Sequence, residues 1–388
     1  MLLSACGGGG DGGSRVTDGT ASGERITAPP VPGANVVAVQ VDRGIDGSAI
    51  NAPFVTVTVC QPGTGACHDI DHVLVDTGSS GLRIASSALP AGFALPGVTT
   101  GGNPVGQCAQ FASGYSWGSV RRADVRMAGE TAFNLPIQVV EDPAAPFAAV
   151  PGECSATGPS IGAGRGAKGI LGVGLFNQDC GPACEVSSAP NVYFACSPGR
   201  CSPARLPQES QVANPVAAFP VNNNGVVLVL PPVPREGAAG LTGSLVFGIG
   251  TQSNNQLGGA TVYTTNSRGF FTTTYKGVNY PASFLDSGSN GLFFDDPDLP
   301  RCGDFYCPRQ SLSLTATNTS ASGVSGTVAF TVEDVTALRP DTAAANLAGN
   351  AGLTGSFDWG LPFFFGRAVY VARAGAETPA GPGPYWAY

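Results

Sequence analysis

The chain has 388 residues, rich in Gly (56) and Pro (32), with 43% hydrophobic and only 12% charged residues. That length accommodates two ordinary lobes with separate cores, and many turn formers beside few charges fit an all-β protein better than a helical one. Lys and Arg number 19 against 27 Asp and Glu, a net charge of -8, which excludes the basic footprint of a nucleic-acid binder and serves solubility.

Residues 1–35 read as a tether of Gly, Ser, Asp, Thr and Pro without periodicity. Within it Leu3-Ser4-Ala5-Cys6 resembles the lipobox at which bacterial lipoproteins receive a diacylglycerol, and the Gly-rich run from Gly7 to Ser14 suits the flexible segment after such an anchor. Only Met1 and Leu2 precede the box, so an anchor at Cys6 implies a start further upstream or a trimmed leader. The alternative is an unmodified cysteine in a polar tail. No other segment approaches the roughly 20 apolar residues of a membrane span.

Order is expected to begin near Val36. Val55, Val57 and Val59 alternate with threonines, the pattern of a half-buried strand. Gln61 to Gly65 is a turn by composition, and His72 to Val75 returns as a strand into Asp76. Further strands are expected at Ile137–Val140, Val226–Leu230 and Leu245–Phe247. Stretches 151–168 and 177–210 are rich in turns, and 231–240 reads as an exposed connection. Tyr280 to Leu285 is a strand into Asp286, and Ala368 to Ala372 is the last strand. No long amphipathic helix pattern occurs.

The chain has 11 cysteines, and several beyond Cys6 lie in close pairs: Cys60/Cys67, Cys180/Cys184, Cys196/Cys201 and Cys302/Cys307, with Cys108 and Cys154 remaining. Disulfides in an oxidising compartment are one reading, with the connectivity open. Zinc held by Cys60, Cys67, His68 and His72 is another, although that ligand order is not a zinc-finger pattern.

Two strand ends share a signature. The first is Val75-Asp76-Thr77-Gly78-Ser79-Ser80-Gly81-Leu82 and the second is Leu285-Asp286-Ser287-Gly288-Ser289-Asn290-Gly291-Leu292. One Asp-(Ser/Thr)-Gly in so Gly- and Ser-rich a chain would be an ordinary capped turn. Two extended copies, about one lobe apart, form an internal duplication centred on the acid. Apolar strands carry each carboxylate inward, and Gly78 and Gly288 permit close approach of the two loops. The hydroxyls of Thr77, Ser79, Ser287 and Ser289 are placed to bond the carboxylates or the facing loop. Carboxylates a few ångströms apart share a proton, so Asp76 and Asp286 together supply the base that activates water and the acid that protonates a carbonyl. Such amide hydrolysis needs neither a metal nor a cofactor.

These motifs resemble the two active-site loops of pepsin-like aspartic peptidases, over most of residues 36–388. The resemblance implies an all-β, bilobal fold with a central cleft: residues 36–250 as the N-terminal lobe with the first Asp loop and flap, residues 251–388 as the C-terminal lobe. Tyr115 to Ser119 is similar to the flap hairpin, which makes Tyr115 the aromatic expected to close over substrate and Trp117 the second choice. Residues 169–174 and 357–371 resemble the segments that thread behind each Asp loop, and 243–250 the strand joining the lobes. Three residues depart from the family pattern: Arg83 stands where a Trp usually braces the flap tyrosine, Asp358 replaces a hydrophobic residue, and Asn290 replaces Ser or Thr. The paired motifs also look like those of a set of bacterial lipoproteins.

The first expectation is therefore a monomeric aspartic endopeptidase at a bacterial envelope surface, acting on a peptide or protein substrate. The second is a peptidase-like module that binds peptide or glycan with catalysis weak or lost. The third is a structural protein whose Asp loops are only turns. A Ser-His-Asp triad is unsupported with both His beside Cys60, and no nucleotide-binding fingerprint follows a strand.

Overall fold

Alternation of apolar and polar residues makes the first long hairpin. Ala52–Cys60 buries its valines and pairs with Cys67–Asp76, and the disulfide Cys60–Cys67 joins cross-strand partners at its far end. The cysteines of the zinc alternative are thus bonded to each other. The computed structural model describes residues 24–27, 29–338 and 343–388.

Beyond Asp76 the chain turns and leaves as Ser80–Ala85. Gly169–Val173 then threads between these two strands, parallel to one with Leu171 opposite Val75, and antiparallel to the other with Leu171 opposite Leu82. A strand covered on both faces reads as an apolar run without alternation, and this one is buried throughout. The second half repeats the arrangement. Val278–Leu285 leads into Asp286, Leu292–Phe293 leaves, and Asp358–Trp359 threads between them with Trp359 opposite both Leu285 and Leu292. By register Trp359 corresponds to Leu171, and Asp358 to Ile170.

A shared sheet joins the halves. Val36–Asp42, Leu241–Phe247, Gly225–Leu230, Arg367–Ala372, Tyr385–Ala387 and Val262–Thr264 follow one another as antiparallel neighbours. Leu228, Leu245 and Val369 are fully buried within it. One hydrophobic cluster runs from Val75, Leu82 and Leu171 to Leu285, Leu292 and Trp359, so the apolar support of both Asp loops is continuous. The far end of the second half is the hairpin of Leu312–Thr319 with Ser325–Val332.

This is the all-β, bilobal architecture that the resemblance implied. The longest helix among the described residues is Pro182–Val186, of five residues. Two features go beyond the sequence reading. Strands 367–372 and 385–387 return to the sheet of the first half, so a single cut at residue 250 does not separate the two sheet systems. Ile26–Thr27, inside the stretch read as tether, pairs in parallel with Leu241 and Thr242. Cys6 lies outside the described residues.

Among the described residues five disulfides are present: the four close pairs and Cys108–Cys154. They belong to an oxidising compartment. Among the described residues no helix is long and apolar enough to cross a membrane.

Candidate active site

Each carboxylate is first fixed by its own loop. Asp76 Oδ1 accepts from the backbone N–H of Gly78 at 2.8 Å and of Ser79 at 3.2 Å, and Oδ2 accepts from Ser79 Oγ at 2.5 Å. Asp286 Oδ1 accepts from Gly288 N–H at 2.8 Å, and Oδ2 from Ser289 Oγ at 3.0 Å. These are the Asx-turn bonds that Asp-x-Gly-Ser favours locally.

The loops then hold each other. Thr77 N–H donates to Ser287 Oγ (3.1 Å), and Ser287 N–H donates to Thr77 Oγ1 (2.9 Å). The same hydroxyls donate onward, Thr77 to Leu285 O (2.9 Å) and Ser287 to Val75 O (2.7 Å). Both side chains are buried, so every donor in this reciprocal set is satisfied across the lobe junction. A third tie comes from Asn51, whose amide donates to Asn290 O and Ala344 O and accepts from Ala344 N–H.

The grip brings Asp76 and Asp286 together. A Cβ on Gly78 would lie 2.6 Å from Asp286 Cγ, and one on Gly288 would lie 2.9 Å from Asp76 Cγ. Only glycine fits at either place. Burial, then the neighbouring charges of Asp76 and Asp358, push the Asp286 carboxyl far above the ordinary carboxylate range. Asp286 and Ser79 are partly exposed and Gly78 is exposed, whereas Val75, Thr77, Leu285 and Ser287 are buried. The site therefore reaches solvent on the side of Asp286, Ser79 and Gly78, while Asp76 is buried and rests on core. A cavity of about 440 Å³ lies behind the second loop, against Leu292 and Trp359, and not over the carboxylates.

The hairpin of Asn103–Phe111 and Gly114–Met127 turns at residues 112–113. Its register sorts the aromatics. Cross-strand partners share a face, so Tyr115, Trp117 and Cys108 lie on one side, and Phe111 and Gln107 on the other. Tyr115 and Trp117 are buried in a cluster with Phe147, Phe194 and the Cys108–Cys154 disulfide, and Trp117 Nε1 donates to Phe147 O at 2.8 Å. The expectation that Tyr115 or Trp117 covers the carboxylates is therefore corrected: both belong to the packing that anchors the hairpin.

The opposite face carries Phe111, which the sequence reading missed. The Arg83 guanidinium lies 5.5 Å from the centre of its ring, and donates to Ser80 O and Gly81 O in the first Asp loop. Arg83 also pairs with Asp179 at 3.4 Å, and Asp179 accepts from Gln107 and Tyr193. Burial pushes Asp179 up to about 6 against the pull of Arg83. A chain of contacts thus runs from the Asp76 loop to the hairpin tip. From sequence Arg83 was marked only as a departure from the family pattern, at the place of the Trp that braces the flap tyrosine; nothing there pointed to Asp179 or Phe111.

Another departure from the family pattern, Asp358, is buried behind the second loop with Oδ2 in hydrogen-bond contact with Ser289 Oγ at 2.7 Å. Of the residues singled out from sequence, Asp76, Thr77, Gly78, Ser79, Asp286, Ser287, Gly288 and Ser289 lie together, while Tyr115 and Trp117 stand apart from them. Cys302, Cys307 and Asp334 are close enough to suggest a metal set, but the two cysteines are joined to each other.

No curated protein matches the chain. Among solved structures, an aspartic proteinase from Irpex lacteus is similar at 15% identity and a TM-score of 0.48, over 91% of this chain and 96% of that one. Residues 32–388, which include both aspartate loops, match the family described as Protein of unknown function (DUF3443), and the chain belongs to that family.

Proposed function

We propose that this protein is an aspartic-type endopeptidase that cleaves peptide bonds with water activated between Asp76 and Asp286. The observation that carries the reading is the reciprocal Thr77–Ser287 grip, which holds two carboxyls from opposite halves against each other at a solvent-open face. The pair shares a proton. Its ionised member draws a proton from the water, and its protonated member donates to the carbonyl oxygen of the scissile bond. The tetrahedral intermediate collapses as the amine leaves with the returned proton, so no covalent enzyme intermediate forms.

The setting belongs to the same proposal. A lipid on Cys6 would hold the protein at a bacterial envelope surface, the lobes would act as a monomer, and an extended peptide would lie across the dyad beneath the Phe111 hairpin. Five disulfides support an exported location.

The test is cleavage of denatured casein from acid to neutral pH. Asp76→Asn and Asp286→Asn are each expected to lower kcat by about a hundredfold or more, and a statine-containing peptide is expected to inhibit. Cleavage that survives Asp76→Asn overturns the reading. Saturable peptide binding without cleavage by the unaltered protein replaces it with the binding module.

A further inference from the structure

Ser289 Oγ carries one hydrogen but meets two carboxyls, Asp286 Oδ2 at 3.0 Å and Asp358 Oδ2 at 2.7 Å. With both acids ionised, one contact would set lone pair against lone pair. Both contacts are hydrogen bonds only when one of the acids is protonated and donates to the serine.

The surroundings decide which acid that is. Asp358 is 2% exposed, and its second oxygen, Oδ1, has no hydrogen-bond partner. The strands on either side place Phe284 and Phe293 opposite it, and the helix that follows, Leu361–Phe364, is apolar. The charged groups coupled to it are Asp76 and Asp286, both negative when ionised. A carboxylate at this position would be buried, unsupported at one oxygen, and repelled. Asp286 by contrast receives the Gly288 N–H at its other oxygen and reaches solvent.

We infer that Asp358 is a positioning residue of the dyad, a neutral acid whose O–H, donated to Ser289 Oγ, commits the Ser289 hydroxyl to Asp286. The order of donors is Asp358 to Ser289 to Asp286, and it gives Asp286 a fixed second donor. Burial pushes the Asp358 carboxyl up to about 8, so the arrangement persists through neutral pH. Above that value the serine hydrogen is divided between two carboxylates, and a further negative charge opposes ionisation of Asp286. The alkaline limb of activity then belongs to Asp358, which never touches the substrate.

The inference rests on the peptidase reading for its kinetic consequence and on geometry alone for its protonation state, so two measurements separate them. In casein cleavage, Asp358→Ile should lower kcat about tenfold with KM unchanged, the worth of one charge-assisted hydrogen bond. Asp358→Asn, whose amide also donates to Ser289, should restore most of that loss and extend activity above about pH 8, where the unaltered protein declines. Superimposable pH profiles for all three overturn the inference. In carbon-13 NMR of aspartate-labelled protein, the Asp358 carboxyl, assigned by its loss in Asp358→Asn, should keep its neutral-acid shift from about pH 4 to 7. A midpoint below about 5 overturns the inference with or without turnover. If casein is not cleaved at any pH, the peptidase reading falls and the NMR result alone decides the state of Asp358.

Discussion

The two aspartate loops match in front and differ behind. In front, each presents an acid held by the N–H groups and serine of its own turn, and each lends a hydroxyl to the other's backbone. Behind, the register pairs Ile170 with Arg83 in the first lobe, and Asp358 with Phe293 at the equivalent place in the second. The polar and apolar members have changed strands, with a base in the first lobe and an acid in the second. Arg83 reaches away to Asp179 and Phe111, whereas Asp358 turns to Ser289. The symmetric front brings two like groups together. The asymmetric back makes them unlike, which a pair must be if one member is to act as acid and the other as base.

The comparison is broken most severely from the first lobe. Arg83→Leu leaves Asp179 buried without its cation, and a destabilisation of about 3–5 kcal/mol is expected in denaturant melts at neutral pH. The loss should shrink well below the Asp179 value of about 6, where that carboxyl is neutral in any case. A loss that is the same at both pH values would show that Arg83 contributes packing and not charge.

Ile170→Asp copies the second lobe's acid into the first. Its carboxyl would be desolvated where Ile170 is buried, and it would have to share Ser79, which already donates to Asp76. A cost of about 2–4 kcal/mol is expected in thermal melts, smaller at acid pH. A variant as stable as the unaltered chain would mean that Ser79 can be shared as Ser289 is, and the lobes would be less distinct than argued.

The last effect is a slope. Folded Asp358 keeps its proton to about 8, whereas an unfolded aspartate releases it near 3.8. Between those values the folded state holds more protons, so stability is greatest on the acid side and falls as pH rises, by up to about 1.4 kcal/mol per pH unit. Asp179 adds the same sign up to about 6. Asp358→Asn should flatten the slope between about pH 6 and 8 and reduce it between about pH 4 and 6 to the part due to Asp179, measured by melts across the range. An unchanged slope would assign it to other groups.

Much of this was legible before folding. Alternating valines made the strand Ala52–Cys60 that pairs with the one into Asp76, and the strands expected at residues 137–140, 226–230, 245–247, 280–285 and 368–372 all lie within observed ones. Four disulfides join cysteines only a few residues apart, where closing the loop costs little entropy. Ile26–Thr27 was missed because two residues carry no period. The choice of Phe111 over Tyr115 was missed because a hairpin's faces follow from where its turn falls, and a shift of one residue exchanges them.

By itself, then, the sequence determined the all-β class, the repeated Asp loops and their apolar approach strands, because these depend on short-range periodicity and on local turn chemistry. The tertiary structure alone decided which aromatic faces the first loop, where Arg83 finds its counter-charge, and that Asp358 stands behind Ser289. Those partners are brought together from far along the chain by sheet register and lobe packing, and charge neutralisation and proton sharing act through space rather than along the backbone.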